Sequence, residues 1–252
     1  MPKVLISDKL SPQAVEVFTS RGVEVDQKTG LTEEQLIEII GEYDGLAIRS
    51  ATKATEKLIA AATNLKVIGR AGIGVDNVDI PSASAKGIVV MNTPFGNSIT
   101  TAEHAIALLM AASRQIPAAD ATLREHTWKR SSFNGVEIFD KTVGVVGLGR
   151  IGQLVAARLA AFDTKIIAYD PYVSAARAAQ LGIELVTLDE LLERADFITV
   201  HLPKTPETAG LIAKDQLAKT KPGVIIVNAA RGGLIDEQAL ADAITSGHVR
   251  GA

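Results

Sequence analysis

Few folds accommodate the run Thr142-Val-Gly-Val-Val-Gly-Leu-Gly-Arg-Ile-Gly152. An apolar stretch, Val143 to Val146, feeds directly into Gly147, Gly149 and Gly152 at G-x-G-x-x-G spacing, and an apolar pattern of helical period follows from Gln153 to Phe162. The order is strand, tight turn, helix. Gly147 makes the turn, Gly149 lets the backbone approach a pyrophosphate, and Gly152 lets the helix pack close to the strand. The free N–H groups that open the helix then face the anion. A second strand, Lys165-Ile-Ile-Ala-Tyr169, ends at Asp170, 18 residues beyond Gly152, where an acceptor for a ribose 2′-OH is expected. A glycine turn beside a surface Asp with no ligand is the bland alternative. The full strand–turn–helix–strand–acid order weighs against it.

The first hundred residues have the same architecture without the fingerprint. Short apolar runs at Val4–Ile6, Val23–Val25, Leu46–Ile48, Val67–Ile68 and Ile88–Met91 alternate with helical segments, the pattern of a parallel sheet with crossover helices. Helix starts are marked by Ser11-Pro12 and by the capping box Thr32-Glu-Glu-Gln35. Two strands run into arginines, Arg49 and Arg70. Ligands of open α/β sheets bind at the carboxyl ends of strands, so these guanidiniums point to a carboxylate or phosphate, with structural ion pairing as the alternative. The loop Arg70-Ala-Gly-Ile-Gly-Val-Asp-Asn-Val-Asp79 either cradles an anion with its N–H groups or is a tight turn in which Asp76 or Asp79 caps the next helix. Pro94 and Gly96 then break the pattern, which sets a boundary after residue 97. A chain of 252 residues favours two domains, 1–97 and 98–252.

Composition narrows the partners. A net charge of −3 with no dense Lys/Arg block argues against nucleic acid and anionic membranes. The absence of cysteine removes disulfides, thiolate metal sites and cysteine nucleophiles, and no metal site is expected. The amino-terminal residues do not read as a signal peptide, and no apolar run reaches the roughly 18 residues of a membrane span, so a cytoplasmic protein is expected.

In the second half, Thr100 to Ser113 reads as a long, mostly buried helix with His104 as a core or interface histidine. Trp128, beside Lys129 and Arg130, is either a contact with a second copy or a solvated helix end. Strand Phe197–Val200 ends in His201-Leu-Pro203, and strand Val224–Val227 ends in Asn228-Ala-Ala-Arg-Gly-Gly233. His201 and Ala229 are candidates for lining the cofactor crevice, the former with a less favoured role as acid–base group. A guanidinium at Arg231 would bind a carboxylate through two parallel hydrogen bonds and stabilise oxyanion charge on an adjacent carbonyl. Four complete strands are counted from Val143 to Val227, and a fifth begins at His248, so the second sheet is expected to lack its last strands.

Arg70-Ala-Gly-Ile-Gly-Val-Asp-Asn77, Gly147-Leu-Gly-Arg-Ile-Gly152, Tyr169-Asp-Pro171, His201-Leu-Pro203 and Asn228-Ala-Ala-Arg-Gly-Gly-Leu-Ile-Asp236 resemble the D-2-hydroxyacid dehydrogenases over essentially the whole chain. Within that family, Arg49-Ser-Ala-Thr-Lys53, the segment Asn92 to Ser98, and Ala112-Ser-Arg-Gln-Ile-Pro117 are most similar to members that use NAD to oxidise 3-phospho-D-glycerate to 3-phosphohydroxypyruvate, opening the phosphorylated route to L-serine. The resemblance implies a flavodoxin-like substrate domain and an incomplete Rossmann NAD-binding domain, both doubly wound parallel α/β sheets. It implies Arg231 on the substrate carboxylate, Arg49, Arg70 and Asn97 on the phosphate and glycerate groups, and Arg150, Ile151 and Asp170 on NAD. Self-association and a phosphorylated 2-hydroxy acid substrate are also expected. Family members carry a Glu shortly after the fifth strand and a His beyond it; none of His104, His126, His201 and His248 stands in that histidine's motif, so a chain that binds without its full catalytic set is expected. The alternatives are a glyoxylate or hydroxypyruvate reductase of the same family, and a non-catalytic NAD-sensing protein.

Overall fold

A computed structural model describes residues 1–252, which divide into two compact units, Met1–Asn97 and Ser98–Ala252. In the first unit, β1 (Lys3–Ile6), β2 (Glu24–Gln27), β3 (Gly45–Ile48), β4 (Val67–Arg70) and β5 (Val89–Asn92) form an all-parallel sheet in the order β2-β1-β3-β4-β5. Helices α1 (Pro12–Thr19), α2 (Glu33–Ile39), α3 (Glu56–Ala61) and α4 (Ile80–Ala85) supply the crossovers. All four residues of β3 are buried, as a strand covered on both faces requires. The helix starts are set by side chains: the Thr32–Gln35 box opens α2, Thr55 Oγ1 accepts from Leu58 N at α3, and Asp79 Oδ1 accepts from Ser82 N at α4. Asp79 is therefore the capping residue of the loop that follows β4. The strand order reverses between β1 and β3, and the crevice of such a sheet lies outside the carboxyl ends of those two strands.

The second unit contains β6 (Thr142–Val146), β7 (Lys165–Tyr169), β8 (Glu184–Leu185), β9 (Phe197–Val200), β10 (Val224–Asn228) and β11 (Val249–Gly251), all parallel, in the order β11-β10-β9-β6-β7-β8. This is the doubly wound dinucleotide order, with its reversal between β6 and β9. The expected four strands and the start of a fifth are corrected to six: β8 has only two residues, too few to register as an apolar run, and β11 takes the outer place beside β10. Seven helices surround the sheet: α5 (Ser98–Ser113), α6 (Ile116–Arg124), α7 (Arg150–Ala160), α8 (Ala175–Gln180), α9 (Leu188–Arg194), α10 (Lys214–Ala218) and α11 (Glu237–Thr245).

Helix α5 packs on α7 and β10 through a narrow face of Ala102, Ala105, Leu109 and Ser113, where small side chains permit close approach. His104 is on the opposite, exposed face, so it is not a core histidine. The core of this unit unites Val143, Val145, Leu148, Val155, Leu159 and Phe197 on one side of the sheet, and Val146, Leu191, Ile198, Val224 and Ile226 on the other. No helix is long and apolar enough to cross a membrane.

Candidate functional site

The carboxyl ends of β6, β7 and β9 meet at Gly147. Its φ of +96° lies in the region open to glycine, and its N–H donates to Tyr169 O at 2.8 Å. The next amide, Leu148 N, donates to Asp170 Oδ2 at 2.8 Å, while Tyr172 N donates to Asp170 Oδ1 at 2.9 Å. The half-buried Asp170 carboxylate thus fastens the glycine turn to the end of β7, and each oxygen retains acceptor capacity for a ligand hydroxyl. Gly149 caps α7, an 11-residue helix whose first N–H groups have no partners within the helix and favour an anion. A Cβ built on Gly149 meets nothing within 4 Å, so the space in front of the helix is open.

Beside this turn is a cavity of about 350 Å³, within the range of small-molecule sites, lined by Gly147, Asp170, Tyr172, His201, Pro203 and Thr208 among others. An open anion-facing helix end, a half-buried carboxylate eighteen residues beyond the last glycine, and an adjoining cavity with apolar and hydroxyl walls fit an adenine dinucleotide. Arg150 is exposed at the start of α7. Ile151 and Ala229 are half-buried and pack against the core, which leaves their main chain as the part that can face a ligand.

His201 lines the same cavity. Its Nε2 is 2.9 Å from Thr199 Oγ1, and burial pushes its pKa from the usual 6.5 to about 4. It is therefore neutral through the physiological range, which suits a wall of the crevice better than a proton carrier. The neutral ring's contribution to stability is fully present above pH 6.5 and is lost as pH falls through about 4, by roughly 2–3 kcal/mol. Comparing thermal midpoints of the parent and His201→Gln between pH 7 and pH 4.5 should show a shallower decline in the variant; parallel declines would mean that the ring is hydrated.

At the end of β10, the turn that carries Arg231 is held by its own side chains. Asn228 Oδ1 accepts from Ala230 N at 3.0 Å, Asn228 Nδ2 donates to Arg231 O at 2.8 Å, and Glu237 Oε1 accepts from Gly233 N at 3.1 Å. Arg231 is half-buried and donates from Nη1 to Ala230 O at 2.9 Å. The arrangement fixes the backbone at both ends of a guanidinium that can bind a carboxylate bidentately.

In the first unit, Arg49 and Arg70 stand at the carboxyl ends of β3 and β4, and neither is in an ion pair. Arg49 Nη1 is 3.4 Å from Lys9 O, and Arg70 Nε donates to Asn77 Oδ1 at 3.3 Å. Asn97 is exposed at the end of the loop that follows β5. Sequence reasoning did not single out Asn228, Thr199 or the cavity wall from Pro203 to Leu211. The Thr205-Pro-Glu-Thr208 segment after His201-Leu-Pro203 carries the one available signal, a hydroxyl-rich turn at a strand's carboxyl end; Thr208 Oγ1 donates to Pro203 O at 2.7 Å.

Comparison with known proteins gives a consistent family. Residues 106–252 match the family described as D-isomer specific 2-hydroxyacid dehydrogenase, NAD binding domain. The D-3-phosphoglycerate dehydrogenase of Mycobacterium tuberculosis strain H37Rv is 66% identical over 252 residues, covering 100% of this chain and 48% of that protein. The D-3-phosphoglycerate dehydrogenase of Archaeoglobus fulgidus is 52% identical, covering 99% of this chain and 47% of its own length. The chain thus spans about half the length of these relatives. Among solved structures, the TT0316 protein from Thermus thermophilus superposes with a TM-score of 0.91 at 33% identity, covering 99% of this chain and 80% of that one. Sequence match and structural likeness agree with the glycine turn, Asp170 and the cavity beside them: the chain belongs to the D-isomer specific 2-hydroxyacid dehydrogenases.

Proposed function

We propose that this chain is the NAD-binding and substrate-recognising part of a D-3-phosphoglycerate dehydrogenase, which oxidises 3-phospho-D-glycerate to 3-phosphohydroxypyruvate. The observation that carries this reading is the 66% identity, over all 252 residues, to a protein of that name. Two arginines outside ion pairs at the strand ends of the first unit support it, because a substrate with both a phosphate and a carboxylate needs several cationic partners. In this reading Arg49, Arg70 and Asn97 take the phosphate and glycerate groups, and Arg231 takes the carboxylate and stabilises charge on the reacting oxygen. Gly147, Gly149, Arg150, Ile151, Gly152, Asp170, His201 and Ala229 form the NAD site. Bound NAD supplies the hydride acceptor; the protein groups bind, orient and exclude water.

A second copy of the chain is the proposed macromolecular partner. Ile116, Leu123, Trp128 and Phe139, on α6 and the segment that follows it, are more than half exposed, which is costly for large apolar side chains unless something covers them. Since NAD and a phosphorylated hydroxy acid are both solutes confined by membranes, a cytoplasmic location follows from the same reading. The test of substrate is NAD reduction by the intact protein with 3-phospho-D-glycerate and with D-glycerate. A kcat/KM at least about a hundredfold higher for the phosphorylated acid is expected if two guanidiniums hold the phosphate. Equal values, or a preference for glyoxylate in the reverse direction, would replace this reading with that of a non-phosphorylated hydroxy acid reductase.

A further inference from the structure

The turn after β3 is gripped from both sides by groups of opposite hydrogen-bonding character. On one side the buried Asp8 carboxylate accepts from Arg49 N at 2.6 Å, from Thr52 N at 3.1 Å and from Thr52 Oγ1 at 2.7 Å. On the other, Asn77 Nδ2 donates to Arg49 O at 2.7 Å and to Thr52 O at 2.6 Å. The carboxylate takes the N–H groups of the turn and the carboxamide takes its carbonyls, which leaves the turn one conformation. The main chain reinforces this: Ala54 N donates to Asn77 O, and Asp79 N donates to Ala54 O, both at 2.8 Å.

The remaining polar atom of Asn77, Oδ1, accepts from Arg70 Nε at 3.3 Å. Arg70 meets a second constraint at Gly72, where a Cβ would lie 1.8 Å from Arg70 Nη1 and 2.7 Å from Cζ. The guanidinium therefore rests on a bare α-carbon. A carboxylate could not replace Asn77, because its oxygens would face two carbonyls; a larger residue could not replace Gly72 without moving Arg70.

We infer that Asn77, with Gly72, is a positioning residue that fixes the two strand-end arginines of the first unit for an anionic substrate, Arg49 through the backbone of its turn and Arg70 through its guanidinium. The inference rests on the reading that Arg49 and Arg70 bind the substrate's anionic groups. Asn77 touches no substrate in this account; it acts through the two arginines.

The test is the KM of the intact protein for 3-phospho-D-glycerate, with kcat, NADH affinity and thermal midpoint measured alongside, in Asn77→Asp, Asn77→Ser, Gly72→Ala and Arg70→Ala. Loss of one charge-assisted contact is worth about tenfold, so Asn77→Asp and Gly72→Ala should each raise KM by about tenfold while NADH affinity stays within about twofold. Asn77→Ser, which avoids the repulsion, should raise it less than Asn77→Asp. In an Arg70→Ala background, Gly72→Ala should add nothing, because the group it displaces is gone. If Arg70→Ala raises KM but neither Gly72→Ala nor the Asn77 variants do, the inference is wrong and the reading beneath it stands. If Arg70→Ala itself leaves KM unchanged, the substrate reading fails instead. A fall in NADH affinity alongside the rise in KM would make Asn77 a general structural residue. Should the Asn77 variants not fold, Gly72→Ala and its coupling to Arg70→Ala decide, since its Cβ meets only a movable side chain.

Discussion

Gly149→Val should leave the second unit folded and remove NADH binding, while Gly152→Ala, a smaller change three residues away, should destabilise it by about 3 kcal/mol or more. A Cβ on Gly149 enters open space, so the folded chain tolerates it, but the added methyls occupy the approach to the amino end of α7 that a pyrophosphate needs. A Cβ on Gly152 would stand 2.0 Å from Gly147 O and 3.1 Å from Gly147 C. These are backbone atoms of the turn, which is itself tied to Tyr169 and Asp170 and cannot yield as a side chain would. Overpacking a fixed core costs about 1–3 kcal/mol, and a clash between two anchored backbones should reach or exceed the top of that range, a large share of the roughly 5–15 kcal/mol that holds an ordinary domain together. Circular dichroism melts and NADH titration of the two variants separate the effects. Binding retained in a folded Gly149→Val chain would place the pyrophosphate elsewhere.

The contrast between these glycines was legible in the sequence because both jobs are local. Spacing alone separates the turn, the approach and the packing contact, and the apolar runs on either side declare the strand and helix. The short strand β8 was not legible: two residues between Gly182 and Thr187 carry no periodicity, and it is a strand because Ile167 and Ala168 of β7 offer a ladder. The sequence marks Asp170 as a candidate ligand acceptor but not as the anchor of the turn, since that role depends on Leu148 N and Tyr172 N converging on one carboxylate. The neutrality of His201 was equally hidden, because burial is a property of the packed chain. In the sequence Asn77 is only part of a loop, as its partners lie up to 28 residues away.

Arg231→Ala should lower kcat/KM for the hydroxy acid by about a hundredfold to a thousandfold, the usual loss when one preorganised donor to a developing oxyanion is removed. Arg231→Lys should recover only part of it, because one ammonium cannot reproduce two parallel N–H contacts to a carboxylate. NADH affinity should stay within a few-fold in both variants. The turn around Arg231 is organised by Asn228 and Glu237, whose bonds run to main-chain atoms at residues 230, 231 and 233, so removal of the guanidinium leaves that frame in place. Steady-state kinetics of the intact protein, with NADH titration as the control, check this. Parallel losses in substrate and cofactor affinity would reassign Arg231 to holding the fold of the β10 turn.

In the proposed reading the second unit binds NAD through the glycine turn, with Asp170 at the ribose. A half-buried carboxylate accepts from a 2′-OH and repels a 2′-phosphate, so the two nicotinamide cofactors should be distinguished by this one group. Calorimetric titration of the 252-residue chain with NADH and with NADPH tests it most directly. One NADH per chain is expected, with an affinity for NADPH weaker by at least about tenfold, a gap that Asp170→Ala narrows. Equal affinities for the two cofactors, or no binding of either, would contradict it.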